Sequence, residues 1–207
     1  MKRIGRLCVI TDTMIQNKYS HREIAKMAIK GGANIIQLRD KNMPTGELLE
    51  TAIEIKKLCS KKRVLFIVND RIDVALISNS DGVHLGKDDI PIKDARKILG
   101  NNKIIGGTAH SLKEAVQREK EGADYIGFGH IYPTYSKLKK GNPKGINYLK
   151  RIVRKVKIPV FAIGGINHSN IKEVINSGVH GVAVIGAVIK NNNPVIAAKG
   201  LRKVIYD

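Results

Sequence analysis

The stretch Ser111-Leu112-Lys113-Glu114-Ala115-Val116-Gln117-Arg118-Glu119-Lys120-Glu121-Gly122-Ala123-Asp124-Tyr125-Ile126-Gly127-Phe128-Gly129 reads as a helix, a stop and a strand. Leu112, Ala115 and Val116 repeat at three and four residues, which places them on one face of a helix over 111–121. Gly122 ends that helix as a left-handed cap would, and the short apolar run 125–129 follows at once. The same join recurs at Lys30-Gly31-Gly32-Ala33-Asn34, Asn79-Ser80-Asp81-Gly82 and Ser177-Gly178-Val179-His180-Gly181. Working outward from these joins gives eight strands, over 7–11, 34–38, 64–69, 82–85, 103–108, 125–129, 159–163 and 181–185. Helical patterns lie between them, clearest at 46–60, 111–121 and 169–177, about eight in all. Alternating units of this kind imply parallel strands with right-handed crossovers. Eight of them over 1–207, with no linker or break in composition, predict one α/β domain, a single (β/α)8 TIM barrel. A doubly wound open sheet is the alternative arrangement.

The composition narrows the class. The chain has 207 residues, 43% of them hydrophobic, which is ample for a buried core. No apolar run approaches the ~18 residues of a membrane span. Only Leu7 to Ile10 follow the basic start as an apolar stretch, against roughly 7–15 residues in a secretory signal, so a cytoplasmic location is expected. Cys8 and Cys59 sit far apart in apolar segments and read as small core residues in a reducing compartment. The 37 Lys and Arg against 18 Asp and Glu give a charge of +19. These lysines are scattered over most predicted helices, and the few aromatics, three Phe and six Tyr, do not interleave with a basic tract. The charge therefore predicts a solvated surface that steers small anions, with no specific nucleic-acid partner and no membrane; a basic regulatory nucleic-acid-binding protein is the remote alternative. A homo-oligomer is compatible with the sequence.

In a barrel the chemistry belongs where strands end and βα loops begin. Gln37, Arg39, Asp40 and Lys41 follow the second strand, and Asn69 and Asp70 the third. Lys87, Asp88 and Asp89 follow the fourth, Thr108 and His110 the fifth, and His130, Thr134, Ser136 and Lys137 the sixth. Arg39, Lys41 and Lys137 suit a polyanion such as pyrophosphate. Asp70 and Asp89 beside them make sense with Mg²⁺ between carboxylates and phosphates. On spacing alone an ordinary surface ion-pair cluster reads the same way. Gly164-Gly165 after the seventh strand, with Gly186 after the eighth, sits where such barrels often bind phosphate. Two anion sites suggest the joining of two phosphorylated fragments with pyrophosphate as leaving group.

Five motifs then carry a resemblance. Gln37-Leu38-Arg39-Asp40-Lys41, Val68-Asn69-Asp70-Arg71-Ile72-Asp73-Val74-Ala75, Gly82-Val83-His84-Leu85-Gly86 with Asp89-Ile90-Pro91, Gly129-His130-Ile131-Tyr132-Pro133-Thr134 and Ile163-Gly164-Gly165-Ile166 resemble the thiamine phosphate synthase family, in order over nearly the whole chain. The resemblance implies a (β/α)8 barrel that couples hydroxymethylpyrimidine diphosphate to a thiazole phosphate, or its carboxylated form, releasing pyrophosphate through a pyrimidinylmethyl cation. It implies that Asp70 and Asp89 bind Mg²⁺. Gln37, Arg39, Lys41, Asn69, Thr108 and Lys137 would hold the pyrimidine diphosphate, with Arg39, Lys41 and Lys137 stabilising its departing group. Thr134, Ser136, Gly165, Ile185 and Gly186 would hold the thiazole phosphate.

The chain departs from that pattern at His130 (usually proline), Thr108 and Gly186 (usually serine) and Lys87 (usually glutamine). Lys139-Lys140-Gly141-Asn142-Pro143-Lys144-Gly145 also resembles the sister family of thiazole tautomerases, which place a histidine after the sixth strand as acid/base. His130 thus reads either as that group or as a barrel-mouth histidine, and the paired Asp70 and Asp89 favour the synthase. Of the other histidines, His84 reads as packed and hydrogen-bonded in the core and His110 as part of a helix cap. His21, His168 and His180 read as surface residues.

Overall fold

The strands are β1 (Leu7–Thr11), β2 (Ile35–Leu38), β3 (Leu65–Asn69), β4 (Gly82–Leu85), β5 (Ile104–Ala109), β6 (Tyr125–Gly129), β7 (Val160–Ile163) and β8 (Gly181–Val184). This is a computed structural model describing residues 4–134 and 142–207. Each strand pairs in parallel with the next, and β8 pairs with β1 to close the barrel. The helices among the described residues are α1 (His21–Lys30), α2 (Thr45–Lys62), α3 (Ile72–Ile77), α4 (Ile92–Leu99), α5 (Leu112–Lys120), α6 (Gly145–Lys155), α7 (Ile171–Ile175), α8 (Gly186–Ile189) and α9 (Pro194–Tyr206). None of them is long and apolar enough to cross a membrane.

The strand ends lie within one residue of the sequence expectation because each strand is a short apolar run bounded by turn residues. The helices differ more. α7 is shorter than 169–177: Asn167 accepts from the Ser169 N–H and hydroxyl, and Asn170 accepts from the Asn167 N–H, so these bonds hold a turn ahead of the helix. After β8 the short α8 precedes α9, so one helix more is present than about eight.

Along the strands every second residue turns inward. Cys8, Ile10, Gln37, Asn69, His84, Thr108, Tyr125, Phe161 and Ala183 line the barrel's inner cavity. Their neighbours Val9, Ile36, Val68, Leu85, Ile126 and Phe128 are fully buried on the opposite face, beneath the helices. Each large side chain buried in this way stabilises the fold by roughly 1.5–3 kcal/mol. Phe128 meets Tyr148 of α6 edge-on at 5.7 Å. Inside, His84 stacks on Tyr125 at 5.5 Å, and Tyr125 meets Phe161 edge-on at 5.3 Å. Gly106 makes that layer possible, since a Cβ there would lie 2.1 Å from Tyr125 Cζ.

The four similar joins share one task. Gly32, Asn79, Gly122 and Gly178 all have positive φ. Each join then places a polar residue just before an even-numbered strand, where it ties the adjacent backbone. Asn34 Oδ1 accepts from Leu7 N at 3.3 Å, Asp81 Oδ2 from Phe66 N at 2.8 Å and Asp124 Oδ2 from Ile105 N at 2.7 Å. His180 closes the seam between β8 and β1: its Nε2 donates to Ile4 O at 2.9 Å, and its own carbonyl accepts from Arg6 Nε at 2.9 Å. These ties sit at the N-terminal ends of the strands and leave the opposite end free for chemistry.

Candidate active site

A cavity of about 510 Å³ opens at the C-terminal ends of the strands. His84, Tyr125 and Phe161 form part of its lining, with the buried Gln37 on another wall. His84 Nε2 lies 2.9 Å from Thr108 Oγ1, and its Nδ1 lies 3.0 Å from the Tyr125 hydroxyl. The histidine thereby fixes Thr108, as expected of a packed and bonded residue. Burial pushes the Tyr125 hydroxyl well above its ordinary pKa, so it stays a neutral partner.

The mouth of this cavity carries the acids. Asp70 leaves β3 with φ +64, held there by its N–H on His84 O at 2.9 Å. Lys41 Nζ pairs with the Asp70 carboxylate. Asp89 Oδ2 accepts from Gly86 N at 2.6 Å. Burial, and then the neighbouring Asp70 carboxylate, push the Asp89 carboxyl above its usual range. Two partly desolvated carboxylates within reach of each other, with an ammonium already on one, form a site that favours a cation. Mg²⁺ takes one or two carboxylates with water and phosphate oxygens completing its shell, so this donor set fits it.

A second cavity of about 250 Å³ adjoins the first, and Ile163 and Ala183 line both. Thr134, Gly164, Gly165, Ile185 and Gly186 line it as well, and Lys190 is its one charged lining residue among those described. Gly165 has φ +69, and a Cβ there would sit 2.5 Å from Pro133 O. Asn170 Nδ2 donates to Gly165 O at 2.9 Å and fixes the turn. Such a wall, with bare backbone, a lysine and no carboxylate, suits a single phosphate.

Most of the residues singled out from the sequence meet here. Gln37, Lys41, Asn69, Asp70, Asp89, Thr108 and His130 line the first cavity, and Thr134, Gly165, Ile185 and Gly186 the second. Arg39 does not line either cavity: its guanidinium turns to Asp12, a buried carboxylate, and its Nε is buried without a partner. Ser136 and Lys137 lie outside the described residues. His130 is buried at the cavity wall.

Some residues play parts beyond, or against, those read from the sequence. His110 does donate its backbone N–H to Glu114 in the first turn of α5, yet its ring bonds to Gly129 O and lines the first cavity. Lys144 lines it too, its N–H donating to His130 O at 2.9 Å; the only signal was the basic segment in which it stands. His21 is a correction. It is 2% exposed, held between Thr11 and Asp40, and is no surface residue. His180 is likewise half-buried at the barrel seam, whereas His168 is exposed.

Comparison with known proteins places this geometry among relatives. Residues 7–188 match the family model described as thiamine monophosphate synthase. The chain is 46% identical over 199 residues to the thiamine-phosphate synthase of Methanocella arvoryzae, covering 96% of this chain and 94% of that one. It is 48% identical over 202 residues to that of Pyrococcus horikoshii, covering 98% and 95%. The solved thiamine phosphate pyrophosphorylase of Pyrococcus furiosus superposes with a TM-score of 0.90 at 43% identity, over 97% of this chain and 95% of that one.

Proposed function

The chain belongs to the thiamine monophosphate synthase family and is a transferase that forms thiamine phosphate; on that premise we propose which residues serve each half of the reaction. The first cavity takes hydroxymethylpyrimidine diphosphate and the second takes the phosphate of the thiazole. What carries this reading is the contrast between the two cavities. One has carboxylates and lysines at its mouth, and the other has bare backbone and a lysine, with a shared wall at Ile163 and Ala183.

Gln37 and Thr108, set on the strands, hold the pyrimidine ring end. Lys41 and Asn69, beside the acids, hold the diphosphate end. Asp70 and Asp89 would hold Mg²⁺, which when bound neutralises charge on the diphosphate. The C–O bond to the pyrimidine methylene breaks, and its electron pair leaves with pyrophosphate. Lys41 stabilises the departing charge, with Lys137 proposed for the same role from sequence. Arg39 joins them only if its pair with Asp12 opens. The thiazole nitrogen then forms the new C–N bond, held close by Thr134, Ser136, Gly165, Ile185 and Gly186. No protein nucleophile or base is needed, so His130 is a wall residue. The basic surface steers phosphorylated substrates towards the mouth, and we place the enzyme in the cytoplasm.

Incubating the protein with both phosphorylated substrates and Mg²⁺ should yield thiamine phosphate and pyrophosphate. Turnover of a thiazole carboxylate phosphate between its double-bond isomers, without any coupling, would overturn the assignment in favour of a tautomerase.

A further inference from the structure

His21 opens α1, yet it is buried and lines neither cavity. Its Nδ1 lies 2.7 Å from Thr11 Oγ1 at the end of β1, and its Nε2 lies 3.0 Å from Asp40 Oδ2. Asp40 stands between Arg39 and Lys41. Its Oδ2 also accepts from Thr13 Oγ1 at 3.0 Å, and its Oδ1 accepts from the N–H groups of Asn42 and Met43 at 2.8 and 2.9 Å. One carboxylate therefore fastens the turn at 40–43 to α1 and to Thr13, just beyond β1. Burial pushes the Asp40 carboxyl up, but the bonds from His21, Asn42, Met43 and Thr13 outweigh it and hold it down to about 2. Asp40 is thus an acceptor only, and Nε2 must carry the proton between them. Lys41 leaves this same turn to reach Asp70 at the mouth of the first cavity.

We infer that His21 is a positioning residue for the diphosphate-binding edge of the site: through Nε2 it holds Asp40, and Asp40 holds the turn that aims Lys41. The inference rests on the reading that the first cavity takes the diphosphate. A residue kept only to fill the space behind α1 would need no polar atoms, whereas both ring nitrogens here have partners from the site's own scaffold. Loss of the hydrogen-bond partners that orient metal ligands typically costs about 10–100-fold in affinity or activity, and the same order is expected where the group aimed is Lys41.

Two substitutions separate the nitrogens. A glutamine amide nitrogen reaches where Nε2 sits, and an asparagine amide nitrogen where Nδ1 sits. In the full chain, His21→Asn should weaken pyrophosphate binding in Mg²⁺, read by titration calorimetry, by about 10–100-fold and lower kcat in step. His21→Gln should restore both to within a few-fold of wild type. Melting temperatures should not follow that order, because both variants lose the same ring packing. Equal pyrophosphate affinity in both variants, whether intact or lost in proportion to stability, would overturn the inference. If His21→Asn does not fold, Asp40→Asn reads the same link, and wild-type affinity there is equally decisive. A wild type that neither binds pyrophosphate nor forms thiamine phosphate would bring down the site reading and this inference with it. An active wild type with two unaffected His21 variants removes the inference alone.

Discussion

Replacing Gly165 with alanine should damage the thiazole phosphate site and spare the diphosphate site. The new Cβ would sit 2.5 Å from Pro133 O, 2.7 Å from Tyr132 Cβ and 2.8 Å from Tyr132 C, where ordinary contact begins at 3.4 Å. Two of these three atoms are backbone, so the 132–133 segment must retreat as a unit by about 1 Å. Thr134, the next residue, moves with it. The residue also sits at φ +69, a left-handed conformation that costs an L side chain roughly 1–2 kcal/mol. Overpacking adds roughly 1–3 kcal/mol, so the variant should fold with a clearly lowered melting temperature. A misplacement of about 1 Å can cost ~10²-fold in a reaction that depends on alignment. Steady-state kinetics should therefore show kcat/KM for thiazole phosphate falling by about 10²-fold. The KM for the pyrimidine diphosphate should hold near its wild-type value. An unchanged kcat/KM for thiazole phosphate, or an equal rise in KM for both substrates, would refute the division into two cavities.

Excess EDTA should abolish coupling, and added Mg²⁺ should restore it, as followed by pyrophosphate release; full activity in EDTA would count against a metal at Asp70 and Asp89. Asp89→Asn should nearly abolish coupling, yet the metal-free variant should melt no lower than wild type, because one of two facing carboxylates loses its charge; scanning calorimetry checks the second half. The depressed pKa of Asp40, about 2, means the folded state holds this proton more weakly than the unfolded chain does. Its stabilisation is complete above the ordinary carboxylate range and is lost as pH falls from about 4 towards 2, so Asp40→Asn should flatten melting curves across that window. His130→Ala should leave coupling within several-fold of wild type, since no step needs a base; a loss of about 10²–10⁴-fold would give His130 a proton-transfer role.

The barrel was legible because every parallel strand is buried on both faces and reads as a short apolar run between turn residues. Joins such as Glu121-Gly122-Ala123-Asp124 marked their own boundaries. The cavity-lining residues on strand ends, among them Gln37, Asn69 and Thr108, were legible for the same reason, since a polar residue at the end of a buried strand needs an explanation. What stayed hidden was the direction in which long or helix-borne side chains turn. Nothing in the spacing of Arg39 foretells a guanidinium committed to Asp12, which lies 27 residues away in the chain. His21 reads from the sequence as a surface residue, and only the docking of α1 against β1 and β2 brings Thr11 and Asp40 to its two nitrogens. α7 was overestimated because the side-chain bonds of Asn167 and Asn170 compete with helical ones.

The seam at His180 bears on how the chain is born. Seven of the eight strand pairings join neighbours in sequence and can form as the polypeptide emerges. The eighth, β1 with β8, spans most of the chain, and closing so long a loop costs about 2 kcal/mol more than closing one βα unit. Until Val182, Ala183 and Val184 have been synthesised, one edge of Leu7-Cys8-Val9-Ile10-Thr11 has no partner. An apolar strand with an open edge invites pairing with other chains. The nascent protein is therefore open to pairing along β1 until β8 has left the ribosome, and the bonds of Arg6 and His180 mark the moment when that exposure ends.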